Sequence, residues 1–133
     1  MMISPCIQEL KDEWLQHVTD SGLDRVIDLL EKGSSLLVHG TFTRAVPMGC
    51  LATHIAWHHP QTSEWTMEAG VMWLSRVAGL NPATSEVIRA WDANGIHDWK
   101  LRCDLLGAFK DEREHRQATH QHIDIRECES ALA

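Results

Sequence analysis

The stretch from Trp65 to Ala78 constrains the fold most, because Glu68 and Arg76 are its only charged side chains. Apolar residues occupy nearly every side of a helix drawn through it, which is typical of a helix buried at the centre of a domain. Gly79 follows as a stop signal. The sequence therefore predicts a central apolar helix over about residues 64–79. The side chains expected to be largely buried are Trp73, Leu74 and Val77.

Start and stop signals for further helices lie on both sides of this segment. A capping side chain or a proline ahead of an apolar stripe marks a helix start, and a glycine marks a helix end. The starts are Ser4-Pro5, Ser21, Asn81-Pro82 and Asp98, and the stops are Gly22, Gly33 and Asn94-Gly95. A chain of 133 residues is long enough for one substantial core. The sequence therefore predicts a compact all-α, single-domain bundle of five to six helices.

Two segments depart from this helical pattern. Short apolar runs on either side of Gly40 are compatible with a short β-hairpin over residues 35–44 or with an ordered loop, and we favour the loop. Beyond Lys110 the chain becomes strongly charged, which predicts a solvated helix extension that frays into a mobile tail. The predicted domain thus covers residues 1–118, and the charged tail covers residues 119–133.

Composition limits the partners and the location that we expect. The formal net charge is −7 and no run of Lys or Arg is present, whereas nucleic-acid binders usually carry a dense basic patch. We find no basic-led apolar leader, and the apolar stretches are shorter than the ~20 residues that cross a bilayer. The four cysteines form no Cys-x-x-Cys pair and suit a reducing compartment. We therefore expect a cytoplasmic protein with no nucleic-acid or membrane partner.

Cys50, His54 and His58 are the strongest candidates for metal or catalytic chemistry. They are four residues apart, so a helix over residues 48–59 would present all three on one face. However, donors eight residues apart are about 12 Å apart along a helix, so one ion could take at most two of them. A metal-dependent helical enzyme or sensor centred on His54 and His58 is the alternative function. A Cys50 thiolate activated by His54 is a further alternative, for which the sequence supplies no oxyanion-binding group.

Six tryptophans, with no tyrosine, suggest a different function. Indole rings anchor cores and also enrich protein interfaces, because they combine a large apolar body with one N–H donor. The first hypothesis is a non-enzymatic binding or accessory module, with no catalytic residue, metal or cofactor. Its groove would hold a protein partner, a second copy in a symmetric homodimer, or a small apolar ligand. The expected lining residues are His54, Trp57, His58, Trp65 and Trp91.

Three short segments also resemble those of small uncharacterised bacterial and phage-associated helical proteins. The segments are Gly49-Cys50-Leu51, Val87-Ile88-Arg89-Ala90-Trp91-Asp92 and Leu105-Leu106, and the resemblance covers about half of the chain. Proteins of that group pair a Cys-Ala-Leu-like helix with a Trp-Asn or Trp-Asp turn. The resemblance implies a compact helical fold and no catalytic residue.

Overall fold

A computed structural model describes residues 4–64 and 66–119, which form six α-helices and one two-stranded antiparallel hairpin. The helices are α1 (Pro5–Glu9), α2 (Asp20–Lys32), α3 (Leu51–Trp57), α4 (Ala69–Met72), α5 (Glu86–Asn94) and α6 (Trp99–Thr119). The strands are β1 (Thr43–Ala45) and β2 (Met48–Gly49). The all-α prediction is confirmed. In the part described, α2 packs against α3 and α6, α1 packs against α5, and α3 packs against α4.

Tighter and wider helical turns extend three of these elements. A π-helical turn (Leu10–Trp14) and a 3₁₀ turn (Leu15–His17) continue α1. A second π-helical turn (Trp73–Val77) continues α4, and a 3₁₀ turn (Gly95–His97) joins α5 to α6. The first and fourth helices are therefore longer than their α-helical cores.

Short polar side chains begin the helices, as the sequence suggested, although not always at the predicted residue. Ser4 Oγ accepts a hydrogen bond from Ile7 N (3.3 Å), and Asp98 Oδ1 accepts one from Leu101 N (3.1 Å), which confirms both predicted starts. The prediction for α2 was wrong by two residues, because Thr19 rather than Ser21 is its cap. Gly22 consequently lies inside α2 and does not end the first helix. Gly33 ends α2 in the left-handed conformation (φ 61°), as predicted.

The fifth helix begins at Glu86 rather than at Asn81-Pro82, and α1 completes its cap. Ser85 Oγ accepts a hydrogen bond from Ile88 N, and the carboxylate of Glu9 lies at the same helix end. Glu9 accepts from the backbone N–H groups of Glu86 (2.9 Å) and Val87 (3.2 Å), from Ser85 Oγ (2.6 Å) and from the Trp14 indole (3.0 Å). One side chain thus joins the first helix to the fifth.

The central helix is shorter than predicted. Residues 61–64 and 66–68 form turns, and the buried Thr62 there donates its hydroxyl proton back to the Ala56 carbonyl oxygen (2.7 Å). Helix α4 starts only at Ala69. Trp73 and Leu74 are fully buried, as predicted, but Val77 is only partly buried.

Close approach between α3 and α4 depends on a glycine. A Cβ atom on Gly70 would lie 2.5 Å from Thr53 Oγ1 and 3.0 Å from its backbone nitrogen. The buried Thr53 hydroxyl in turn donates to the Phe42 carbonyl oxygen (2.6 Å). Gly70 therefore lets α4 pack against the first turn of α3, and a larger residue would push the two helices apart.

The hairpin lies further along the chain than Gly40. Strands β1 and β2 pair through Thr43 with Gly49, and Ala45 with Met48. The preceding segment packs beside β2, since Val38 N donates to Gly49 O and Gly49 N donates to Leu36 O (3.0 Å each). The predicted helix over residues 48–59 therefore starts late, at Leu51, because its first two residues belong to β2.

One residue in the charged end of α6 is docked against the rest of the domain. Arg116 is 3% exposed, and its guanidinium donates to Glu112 Oε2 (2.6 Å), Asp20 Oδ1 (2.8 Å) and the Leu15 carbonyl oxygen (2.8 Å). The prediction of a solvated helix extension is therefore wrong for Arg116, whereas Asp111, Glu114, His115 and residues 117–119 are exposed. Residues 120–133, where we predicted a mobile tail, lie outside the described residues.

Among the described residues, none of the helices combines the length and the apolar character needed to span a bilayer.

Candidate functional site

The five side chains predicted to line one groove are found in different environments. His54 and Trp91 are buried, at 1% and 0% exposure, whereas Trp57 is partly exposed and His58 is exposed. Trp65 lies outside the described residues. The buried pair belongs to the core, so the four described residues of this set do not share one open surface.

His54 and Trp91 hold the segment that precedes the hairpin. His54 Nε2 donates to the Leu36 carbonyl oxygen (2.8 Å), and Trp91 Nε1 donates to the Val38 carbonyl oxygen (2.8 Å). The bond from His54 places the proton of the neutral ring on Nε2. Both side chains thus donate to backbone carbonyl groups of the segment at residues 36–38, which is buried polar backbone that needs partners. Their positions are explained by structure rather than by a ligand.

Burial lowers the pKa of His54 below its ordinary value of 6.5. The positive charges of Arg25 and of a protonated His58 lower it further, while the hydrogen bond to Leu36 opposes them. Burial also lowers the pKa of His58 and of His59, with Arg25 acting on the first and His17 on the second. The folded state therefore favours neutral imidazoles on this side of the molecule.

Stability is expected to fall in mild acid because of His54. Its folded pKa lies below the unfolded value, so between the two the unfolded chain binds more protons. The contribution is fully present above about pH 6.5 and is lost as the pH falls further. Urea unfolding at pH 8 and at pH 5.5 should show a smaller acid loss for His54→Gln than for the wild type. His115→Gln, at an exposed position of α6, is the control and should lose as much as the wild type. Equal losses in all three proteins would contradict the assignment to His54.

The proposed metal or thiolate set is not assembled by the described residues. Cys50 precedes α3 and is buried, with its sulfur 3.6 Å from Thr53 Oγ1, and burial raises the pKa of its thiol. His58 follows α3, and its backbone carbonyl accepts from Thr19 Oγ1 (3.0 Å). Within residues 4–64 and 66–119, no three His, Cys, Asp or Glu side chains converge in a way that could hold a metal ion.

A groove of about 590 Å³ lies instead between α1 and α6. One wall comprises Ser4, Pro5, Ile7 and Lys11, and the other comprises Lys100, Cys103, Asp104, Gly107, Ala108 and Asp111. Ile7 and Ala108 are buried at its base, whereas Cys103 and Lys100 are exposed. We call this feature the α1–α6 groove.

The charges of the α1–α6 groove balance one another. Lys100 Nζ lies 2.8 Å from Asp104 Oδ2, and this hydrogen bond raises the pKa of the Lys100 ammonium. Lys11 and Asp111 add one charge of each sign. Neither makes an ion pair with any other residue in the described part of the chain. The groove therefore offers one unpaired cation and one unpaired anion.

An exposed tryptophan lies at the first residue of α6. Trp99 is 68% exposed, and the Arg102 guanidinium carbon lies 5.1 Å from its ring centroid. It precedes Lys100 in the chain but does not line the groove, and the Arg102 guanidinium over its ring donates to the Leu30 and Glu31 carbonyl oxygens of α2. Sequence reasoning treated Trp99 as one ring among six and missed the groove. The signal present was Gly107, a glycine inside a helix where no turn requires it.

Comparisons with protein-family models, curated proteins and solved structures found no match to this chain.

Proposed function

We propose that this protein is a non-enzymatic binding module whose α1–α6 groove holds a helical segment of a protein. The observation that carries the proposal is the open groove itself, whose two walls come from α1 and α6. A groove flanked by two helices and open along its length suits an extended or helical occupant.

The floor of the groove supports a helix as the occupant. Gly107 has no side chain, and a Cβ atom added there would meet no other atom within 4 Å. Ala108 and Cys103 beside it are also small. Axes of packed helices approach to about 8–10 Å, and the lower end of that range requires small side chains at the contact.

The distribution of ionisable groups favours binding over catalysis. Reactive groups in enzymes usually have strongly shifted pKa values and face a cleft. Here, the buried groups His54 and Cys50 lie in the core, and burial raises the pKa of the Cys6 thiol to about 11. The groove carboxylates and ammonium groups include an exposed ion pair, which suits recognition of a charged surface.

Selection of peptides on the full-length protein tests this proposal. A library of displayed helical peptides is selected on protein immobilised at low surface density, so that contacts between copies are rare. Enriched peptides should bind the wild type and lose at least about tenfold in affinity to Gly107→Trp, which fills the floor of the groove. Lys32→Trp, on the exposed end of α2, is the matched control and should bind as the wild type does.

Two results would count against a peptide groove. Peptides that bind Gly107→Trp and the wild type equally would place the binding surface elsewhere. If no peptide is enriched, and small apolar compounds saturably displace a bound apolar dye, the occupant of the groove would be a small ligand instead of a protein segment.

A further inference from the structure

We propose that the occupant of the α1–α6 groove is α6 of a second copy, packed antiparallel about a twofold axis. This inference rests on the proposed function, because it names the helix that the groove holds. The proposed contact places Lys100 of each copy against Asp111 of the other. It is drawn from the spacing, the charge and the small residues along α6.

The groove residues of α6 form a stripe suited to helix pairing. Lys100, Asp104, Gly107 and Asp111 follow one another at spacings of about 3.5 residues, which is the period of a helix–helix seam. In antiparallel seams each position faces a position of the other type on the second helix. One register pairs Lys100 with Asp111 and Asp104 with Gly107, and twofold symmetry repeats each pair.

Charge favours this register over a contact of like charges. The whole chain carries a formal charge of −7, so two copies repel one another over most of their surface. The groove is different, because its two lysines and two aspartates balance. Asp111 makes no ion pair among the described residues, and the register supplies it with the Lys100 ammonium of the second copy.

Gly107 explains why the helices can approach in this register. Glycine weakens the interior of a helix, and nothing within the described part of the chain packs against its open side. The register places Asp104 of the second copy opposite Gly107. The carboxylate of this Asp104 accepts a hydrogen bond from Lys100 of its own copy. A side chain at position 107 would separate this ion pair from the opposing backbone.

Charge reversal measured by sedimentation tests the register. The wild type should show a concentration-dependent dimer at micromolar concentration. Lys100→Asp and Asp111→Lys should each raise the dissociation constant at least about tenfold, because each creates two like-charge pairs. The double variant Lys100→Asp/Asp111→Lys should restore the dimer. Lys110→Asp, on the side of α6 that faces α2, should leave the dimer intact.

Failure of the double variant to recover would overturn the register, provided that circular dichroism shows each variant to be folded. A wild type that stays monomeric at all concentrations would overturn the second copy as the occupant. If the peptides selected above still require Gly107, the binding groove stands and only its partner is different. If those peptides bind Gly107→Trp as well as they bind the wild type, while the charge-reversal variants change dimerisation as expected, the groove serves self-association alone.

Cross-linking at Cys103 provides an independent measurement. The register places Cys103 opposite residue 108, so the two Cys103 Cα atoms would be roughly 11–12 Å apart. In a Cys128→Ser background, a short bis-maleimide should join two copies through Cys103, since Cys6 and Cys50 are buried. Adding Cys103→Ser to this background should abolish the cross-link. A cross-link that persists without Cys103, or no cross-link in the Cys128→Ser protein, would contradict the proposed pairing.

Discussion

Replacing Trp73 by alanine is expected to lower the free energy of unfolding by about 3–5 kcal/mol. Trp73 is fully buried, and its ring meets the ring of Trp14 edge-on with centroids 5.2 Å apart. Removing it leaves a cavity at the point where α4 meets the continuation of α1. Urea unfolding followed by circular dichroism measures the loss, and wild-type stability would mean that this ring is not central to the core.

Two variants control for the chemistry of the indole. Trp99→Ala removes an exposed ring and should change the free energy of unfolding by less than about 0.5 kcal/mol. Trp73→Phe should cost less than Trp73→Ala, because it keeps an aromatic ring in place. The indole N–H of Trp73 has no hydrogen-bond partner among the described residues, so phenylalanine sacrifices no bond there.

Replacing Arg116 by alanine is expected to cost about 3 kcal/mol of unfolding free energy. The guanidinium is buried and forms three short contacts, to Glu112, Asp20 and the Leu15 carbonyl oxygen. Its removal leaves two largely buried carboxylates without this cation and one carbonyl without this donor. Chemical unfolding at pH 7 gives the difference directly.

Arg113→Ala is the matched control for Arg116. It lies one turn earlier on α6, its side chain is 36% exposed, and its nitrogen is 3.7 Å from an exposed Asp24 oxygen. Exposed ion pairs contribute at most about 1 kcal/mol, so this variant should stay within that limit. Equal losses in the two variants would show that helix propensity, rather than the buried cation, dominates.

Local patterns predicted the helices well where one residue decides the outcome. The capping oxygens of Ser4 and Asp98 and the left-handed Gly33 act within a few residues of themselves, so the sequence showed them directly. The inward stripe of α5 follows from helical periodicity, and its residues Val87, Ile88 and Trp91 are buried. These features need no information from distant parts of the chain.

Features set by distant contacts were not predictable in the same way. Met48 suits a helix locally, but pairing of Met48 with Ala45, and of Gly49 with Thr43 and with the segment at Leu36, places both residues in a strand. His54 resembled a ligand because a histidine on a helix gives no sign of whether a carbonyl lies opposite. Arg116 resembled a solvated residue because its burial depends on Asp20 and Leu15, roughly a hundred positions earlier.

The candidate site illustrates the same limit. The sequence directed attention to tryptophans and histidines, yet Trp14, Trp73 and Trp91 fill the core. The α1–α6 groove depends on how two helices diverge, and no residue type marks such a divergence. The sequence shows a glycine at position 107 within a helix, but only the structure shows that open space lies beside it.

The bonds of Glu9 also affect the order in which a ribosome-bound chain can fold. Its partners in α5 are 76 to 78 positions further along, so α1 is synthesised long before residues 85–87 emerge. At a chain growth of about 5–20 residues per second, the Glu9 carboxylate exists for several seconds before its partners in α5 are synthesised. Helix α1 is therefore among the last of the described elements to become fixed, although it is synthesised before the others. A chain stalled before residues 85–87 have left the exit tunnel should leave this helix open to proteolysis, and a chain long enough to expose them should begin to suppress the cleavage.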